Sequence, residues 1–303
     1  MVIRDKFKGV NSIKFTLRFH EDESCYKYLA DIKWEDGYKC KKCGNTYFCN
    51  GVKPHSRRCL KCRYDESPTA GTMFDKCKFP LYIAFHIAFH IAFRVSTKKK
   101  GMSSLELSHE FELRQMTCWE FKWKVQQAME SSLKYPLTGE VHVDECYIGG
   151  EETQKQGRSK GKKKLVIVAL EKLPFNGVGR AYAQIIENGS GASFLPFFEA
   201  HISKDADVIT DEWKGYNPLK KEYLKLKQIP SNKGKNHPDM HIHIMNLKGW
   251  LRGIHHHCSK ERLQGYLDEY NFRYNRRNNM ETIFDTLLKR MVYYSPKRLY
   301  TDI

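Results

Sequence analysis

The sequence predicts a mixed α/β chain, and three observations predict it. From Val141 onward, apolar runs of strand length (VHVDECYI, KLVIVALE, RAYAQIIEN) are separated by polar or Gly-rich joints. A helical stretch, SFLPFFEAH, a further strand, DVITD, and then helices to the end follow them. Ahead of them stand two CxxC pairs and a largely helical segment. Three antiparallel-style strands, a helix, another strand and further helices are the order of a ribonuclease H-like domain. The expected fold class is therefore α/β: an RNase H-like mixed sheet preceded by a zinc ribbon and a helix-turn-helix. Expected boundaries are 1–78, 79–135 and 136–303.

Residues 13–35 predict a short strand or turn and then a helix, capped by Asp22 or Ser24, with Cys25, Tyr28 and Leu29 at helical spacing. Residues 36–76 are rich in Gly, Cys and Lys and lack periodicity, so a metal should organise them. Cys40-x₂-Cys43 and Cys59-x₂-Cys62, with 15 residues between, have the spacing of a tetrahedral Cys₄ zinc site. Such a site has no open coordination position, so this Zn²⁺ is expected to be structural. Gly44 suits the left-handed turn after the first knuckle, and Cys49 and His55 are spare donors within the loop. The basic residues Lys39, Lys41, Lys42, Lys53, Arg57 and Arg58 would be presented to DNA or to a partner.

Residues 80–96 predict an apolar helix. Its repeat, IAFHIAFHIAF, puts Phe85, Phe89 and Phe93 on one stripe with His86 and His90 beside them. Two histidines at i, i+4 could hold a metal, but a packed helix accounts for them as well. Residues 101–130 predict two helices with a break. Ser103 or Ser104 would cap the first, burying Leu105 and Leu107; Leu113, Met116, Trp119 and Val125 would point inward from later turns. A short helix, then a longer one with Arg114, Gln115 and Thr117 near its start, resembles a helix-turn-helix beside Lys98, Lys99 and Lys100.

Lys and Arg total 52 against 35 acids in 303 residues, a net charge of +17, which favours a polyanionic partner. No N-terminal stretch has the order of a signal peptide, and the most apolar run, 80–93, is too short for a membrane span. A soluble, cytoplasmic, reduced chain is expected.

Asp144 lies on the alternating strand Val141, His142, Val143, Asp144, facing opposite to the two valines. Asp211 ends the run Val208, Ile209, Thr210, and Asn246 lies on a later helix, HIHIMNLKGWLR. Carboxylates at strand ends, completed by an oxygen from a helix, are how two Mg²⁺ ions are held for phosphodiester chemistry. Lys155, Arg158, Lys160, Lys162, Lys163 and Lys164 form a basic loop beside the first of these strands, suited to phosphate; Lys248 and Arg252 share the helix of Asn246. His255, His256 and His257 follow. Trp213 and Tyr216 are expected to pack, and YLDEYNFRYNRR reads as an amphipathic helix with Arg273, Arg276 and Arg277 turned to DNA.

The zinc-ribbon cysteines, GTMFDKCKFPLYIAF, VHVDECYIGG, ITDEWKGY and LQGYLDEYNFRYNRR together resemble the ISXO-like transposases of bacterial insertion sequences (insertion-sequence family 1595), across about residues 15–292. The resemblance implies an RNase H-like catalytic core of the DDE type with Asp144 and Asp211 as the first two metal ligands. It implies a third ligand where Glu is usual; here that position is Asn246, with 34 residues between it and Asp211. The triad carried over is Asp-Asp-Asn, whose protein charge is −2 rather than −3. It further implies double-stranded DNA partners (terminal inverted repeats and target), strand cleavage followed by strand transfer, and a homo-oligomer. Two other functions fit the same residues: a zinc-ribbon DNA-binding regulator with a decayed catalytic fold, and a nuclease that cleaves without joining.

Overall fold

The computed structural model describes residues 4–97, 101–149, 163–175, 177–255 and 258–294. Lys98, Lys99, Lys100, Lys155, Arg158, Lys160 and Lys162 lie outside them. The chain divides into two compact units, Met1–Met129 with Arg276–Ile303, and Glu130–Asn275. This differs from the three-part expectation: the C-terminal segment groups with the N-terminal unit rather than with the strand-bearing one.

In the first unit, helices α1 (Ser12–Arg18) and α2 (Asp22–Lys33) are followed by strands β1 (Phe48–Asn50), β2 (Arg57–Cys59) and β3 (Asp65–Glu66). Helices α3 (Leu81–Thr97), α4 (Ser104–Phe111) and α5 (Gln115–Met129) come next. The expected strand or turn near residue 13 is a helix, because the Asn11 side chain accepts from the N–H groups of Ile13 and Lys14 and Phe15 is buried beneath it. Neither Asp22 nor Ser24 caps α2. Asp22 instead accepts the N–H of Tyr82, and Ser24 donates to the carbonyl of Glu21.

The phenylalanine repeat forms the centre of this unit. Phe85 and Phe89 are buried among Phe7, Phe15, Phe19, Tyr28 and Phe284, with Phe15 stacked on Phe89 at 4.0 Å. Phe284 belongs to the last described helix, Ile283–Tyr293, whose Asp285 is clamped by both Arg4 guanidinium nitrogens. That buried apolar face is why the C-terminal segment returns to the first unit. His86 and His90 pack edge-on and tilted against Phe15 and Phe111, and His90 lies 3.4 Å from Glu110.

Ser103 caps α4 in a capping box with Glu106, and Glu112 in the left-handed conformation ends it. Leu107 is buried but Leu105 is 51 % exposed, and Met116 is 63 % exposed while Cys118 is buried. Residues two apart on a helix point about 200° apart, so only one of each pair can face the core. The expectation that both members of each pair face inward is corrected on that ground.

The second unit holds a five-stranded mixed sheet: β4 (Glu140–Ile148), β5 (Lys164–Leu173), β6 (Gly177–Ile186), β7 (Asp207–Thr210) and β8 (Lys227–Gln228), in the order β6-β5-β4-β7-β8. The pairs β4–β5 and β5–β6 are antiparallel; β4–β7 and β7–β8 are parallel. Helix α6 (Gly191–His201) covers one face with Phe194, Phe197 and Phe198, against Val141, Val143 and Ile167. Helices α7 (Pro238–Ile254) and α8 (Lys260–Tyr274) cover the other with Ile244, Leu247, Trp250 and Leu267, against Cys146, Ile148 and Val168. Burial on both faces explains the unbroken apolar run of β5, where Leu165–Leu170 are all buried.

His201 ends α6 stacked on Tyr182 at 4.5 Å, and burial lowers its pKa to about 4. The unfolded chain takes up a proton on this histidine near its ordinary value, while the folded chain resists until about pH 4. Its contribution is therefore intact above about pH 6.5 and is lost as pH falls towards 4, by at most roughly 3 kcal/mol. Urea unfolding measured from pH 7 to 4 should show this decline, and His201→Phe should flatten it.

Candidate functional site

The parallel pairing of β4 with β7 sets the geometry. Glu140 pairs with Asp207, Val141 with Val208 and His142 with Ile209, a constant offset of 67 residues. The same offset, two steps further, takes Asp144 to Asp211. Adjacent strands lie about 4.8 Å apart, so two side chains at matched positions on one face come within joint reach of a cation. The face is fixed by alternation. Val141, Val143 and Val208 point towards α6, so Asp144 and Asp211 point to the side that α7 covers.

Backbone groups aim both carboxylates. Asp144 Oδ1 accepts the N–H of Glu145 at 2.8 Å, and Asp211 Oδ1 accepts the N–H of Trp213 at 3.0 Å. The Asp211 carbonyl accepts from Thr210 Oγ1 and Gln228 Nε2, which fixes the chain where β7 ends. Trp213 donates its ring N–H to the Gly189 carbonyl at 2.6 Å. Gly215 lies so near that carbonyl that a Cβ would come to 2.1 Å, so only glycine fits. Glu145 points to the opposite face from Asp144, where the Tyr216 hydroxyl donates to its Oε2 at 2.6 Å. Tyr216 is buried as expected; burial, then Glu145, Asp144 and Asp211, push its phenol well above the ordinary value.

Asn246 is exposed on α7 and, among the described residues, makes no hydrogen bond to either aspartate. It lies nearest in helical angle to Asp239, His243 and Trp250. That edge of α7 turns towards α8, where His243 meets Tyr270 and Tyr274 and Trp250 meets Tyr270. Lys248 occupies the other edge. It is half-buried, and its charge opposes the burial that pushes the Cys146 thiol up to about 12, so it stands over the strand of Asp144. Sequence periodicity could have separated Asn246 from Lys248 by angle, but nothing in it says which edge of α7 lies over β4.

The remaining basic positions scatter. Arg252 is exposed on α7, Arg114 is exposed just before α5, and Lys163 and Lys164 are half-buried at the start of β5. His255 stacks on Tyr266 at 3.6 Å, while His256 and His257 lie outside the described residues. Arg273 is corrected: it is not turned to DNA but buried, bonded to Glu269 at 2.9 Å with its guanidinium over Trp250. Its spacing from Glu269, one helical turn, buries both charges together.

In the first unit the four cysteines gather. Cys40, Cys43, Cys59 and Cys62 have their sulfurs within 4.8 Å of one another, with Cys40–Cys62 and Cys43–Cys59 at 3.6 Å. Sulfurs at about 2.3 Å from a tetrahedral zinc lie about 3.8 Å apart, so the cluster fits Zn²⁺ and is far too open for disulfides. Each knuckle closes with a left-handed residue donating back to its first cysteine's carbonyl: Gly44 to Cys40 and Arg63 to Cys59. Burial raises the Cys59 thiol, but N–H groups of Cys62 and Lys61 and the Asn45 amide outweigh it and lower the pKa to about 6, favouring the thiolate. The spare donors are engaged elsewhere, Cys49 with the Arg58 carbonyl and His55 with Glu23.

Residues 136–275 match the family model of the ISXO2-like transposase domain. This chain carries that domain, and the match ends at the residue where the second compact unit ends. The search of curated proteins found no match. No described helix is long and apolar enough to cross a membrane.

The zinc assignment is checked by metal analysis: the purified chain should hold one equivalent of Zn²⁺. Cys59→Ser should release it and unfold residues 36–76, seen as loss of amide protection there.

Proposed function

We propose that this chain is an insertion-sequence transposase that binds element-end DNA and carries out metal-dependent strand cleavage and strand transfer. The observation that carries the reading is the pairing of β4 and β7, which sets Asp144 beside Asp211 on one sheet face, inside the matched transposase domain. The strand order β6-β5-β4-β7-β8, three antiparallel strands extended by two parallel ones, supports an RNase H-like core.

Asp144 and Asp211 present hard oxygen donors, which suit Mg²⁺ and exclude no second ion. Asn246 is the third oxygen ligand in this reading, which requires its edge of α7 to turn towards the aspartates when DNA and metal bind. Bound divalent ions would activate the attacking oxygen and stabilise the leaving one. The chain's own residues prepare for that chemistry. The N–H groups of Glu145 and Trp213 orient the carboxylates, and Lys248, standing over β4, offers a cation to a phosphate approaching the site. A water cleaves the phosphodiester and frees a 3′-hydroxyl, which then attacks target DNA.

The basic excess and the α4–α5 pair support DNA binding outside this site. A three-residue break separates these helices, and the exposed Arg114 and Gln115 stand at the start of the second. Zn²⁺ is structural in this reading, and the active form is a homo-oligomer on paired ends.

Asp144→Asn and Asp211→Asn should each abolish Mg²⁺-dependent nicking of terminal-repeat DNA, a loss of at least about 10³-fold, while gel-shift affinity survives. Nicking retained by either variant would overturn the assignment. A strand-transfer assay separates a transposase from a nuclease that only hydrolyses.

A further inference from the structure

The hydrogen bond between Tyr216 and Glu145 joins the two chain segments that carry the candidate metal ligands. Glu145 follows Asp144 on β4 and gives its backbone N–H to that aspartate's Oδ1. Tyr216 follows Asp211 in the short 3-10 helix Lys214–Lys221, and its own N–H donates to the Trp213 carbonyl at 3.1 Å. The Trp213 N–H in turn holds Asp211 Oδ1. Asp144, Glu145, Tyr216, Trp213 and Asp211 therefore form one closed path of hydrogen bonds across the β4–β7 seam.

We propose that Tyr216 is a positioning residue whose hydroxyl, held on Glu145, latches the turn after Asp211 to the strand of Asp144 and fixes the spacing of the two carboxylates. The inference rests on Asp144 and Asp211 being the metal ligands, and it adds what keeps them in place. The ring is immobilised: Tyr216 is fully buried and stacked on Phe194 at 4.6 Å. The phenol stays a neutral donor, and Glu145, on the far face of β4, is kept as its acceptor. Two ionised aspartates side by side repel, and the printed ladder between β4 and β7 stops before it reaches them. A latch behind the sheet resists that repulsion in the absence of an ion, so the ligand geometry exists before metal arrives.

The test titrates MnCl₂ into the zinc-loaded full chain and follows free Mn²⁺ by electron paramagnetic resonance. Tyr216→Phe keeps the ring and removes the latch; it should weaken Mn²⁺ binding by about tenfold or more, the cost typical of losing a group that orients a metal ligand. Glu145→Ala should do the same, and Glu145→Gln, which keeps an oxygen for the phenol, should recover most of the loss. If Tyr216→Phe fails to fold by circular dichroism, the Glu145 pair carries the test. Wild-type affinity in Tyr216→Phe or Glu145→Ala, with binding lost in Asp144→Asn, overturns the latch and leaves the metal site standing. A lowered melting temperature without an affinity change overturns it equally. A wild-type chain that takes up no Mn²⁺ refutes the metal-ligand assignment itself, and the latch with it.

Discussion

The parallel register between β4 and β7 is the constraint on which the second unit depends. A parallel pair cannot be closed by a tight turn, so the chain must leave β4, build β5 and β6, cross α6 and return as β7. The reward for that detour is a match, offset by a constant 67 residues, between two positions that local sequence cannot relate. A slip of one residue would turn Asp211 towards the phenylalanines of α6 and Val208 towards α7. Burial of Val141, Val143 and Val208 in one apolar layer therefore holds the register, and the same burial aims the aspartates. Site geometry here is a by-product of core packing.

The two faces of the sheet divide the labour. Towards α6 lies an apolar layer closed by the buried Tyr216 and Tyr223, and it supplies rigidity. Towards α7 the strands expose Asp144 beyond the apolar patch of Cys146 and Ile148, and Lys248 brings a positive charge over it. Glu145 and Asp144, adjacent in sequence, serve opposite faces because alternation along a strand leaves no other arrangement. One acid is thereby available to solvent chemistry and its neighbour to a buried phenol.

The first unit achieves order by different means. Its ribbon strands are two or three residues long, too short to hold themselves by backbone pairing. The four sulfurs gather at metal-binding separation above a small apolar cluster of Ala30, Trp34 and Tyr38. The helical part has the opposite character: an aromatic cluster fed from α1, α3 and the C-terminal helix, with few short-range constraints among its parts.

Much of this was legible in the residues alone. The four zinc cysteines could be read because CxxC spacing is local. The strands β4 to β7 could be read because apolar runs and alternation are properties of neighbours in sequence, and the facing of Asp144 followed from the same alternation. The fate of α7 could not be read. Periodicity gives a helix its faces but not its roll against a sheet, and that roll, set by Ile244, Leu247 and Trp250 in the core, turned Lys248 rather than Asn246 over β4. Nor could sequence show that Arg273 is buried against Glu269, or that residues after 275 rejoin the first unit. Local chemistry was fixed by which residues stand next to one another in the chain. Which of them meet across hundreds of positions was decided only when apolar faces competed for burial, a contest settled by the whole fold at once.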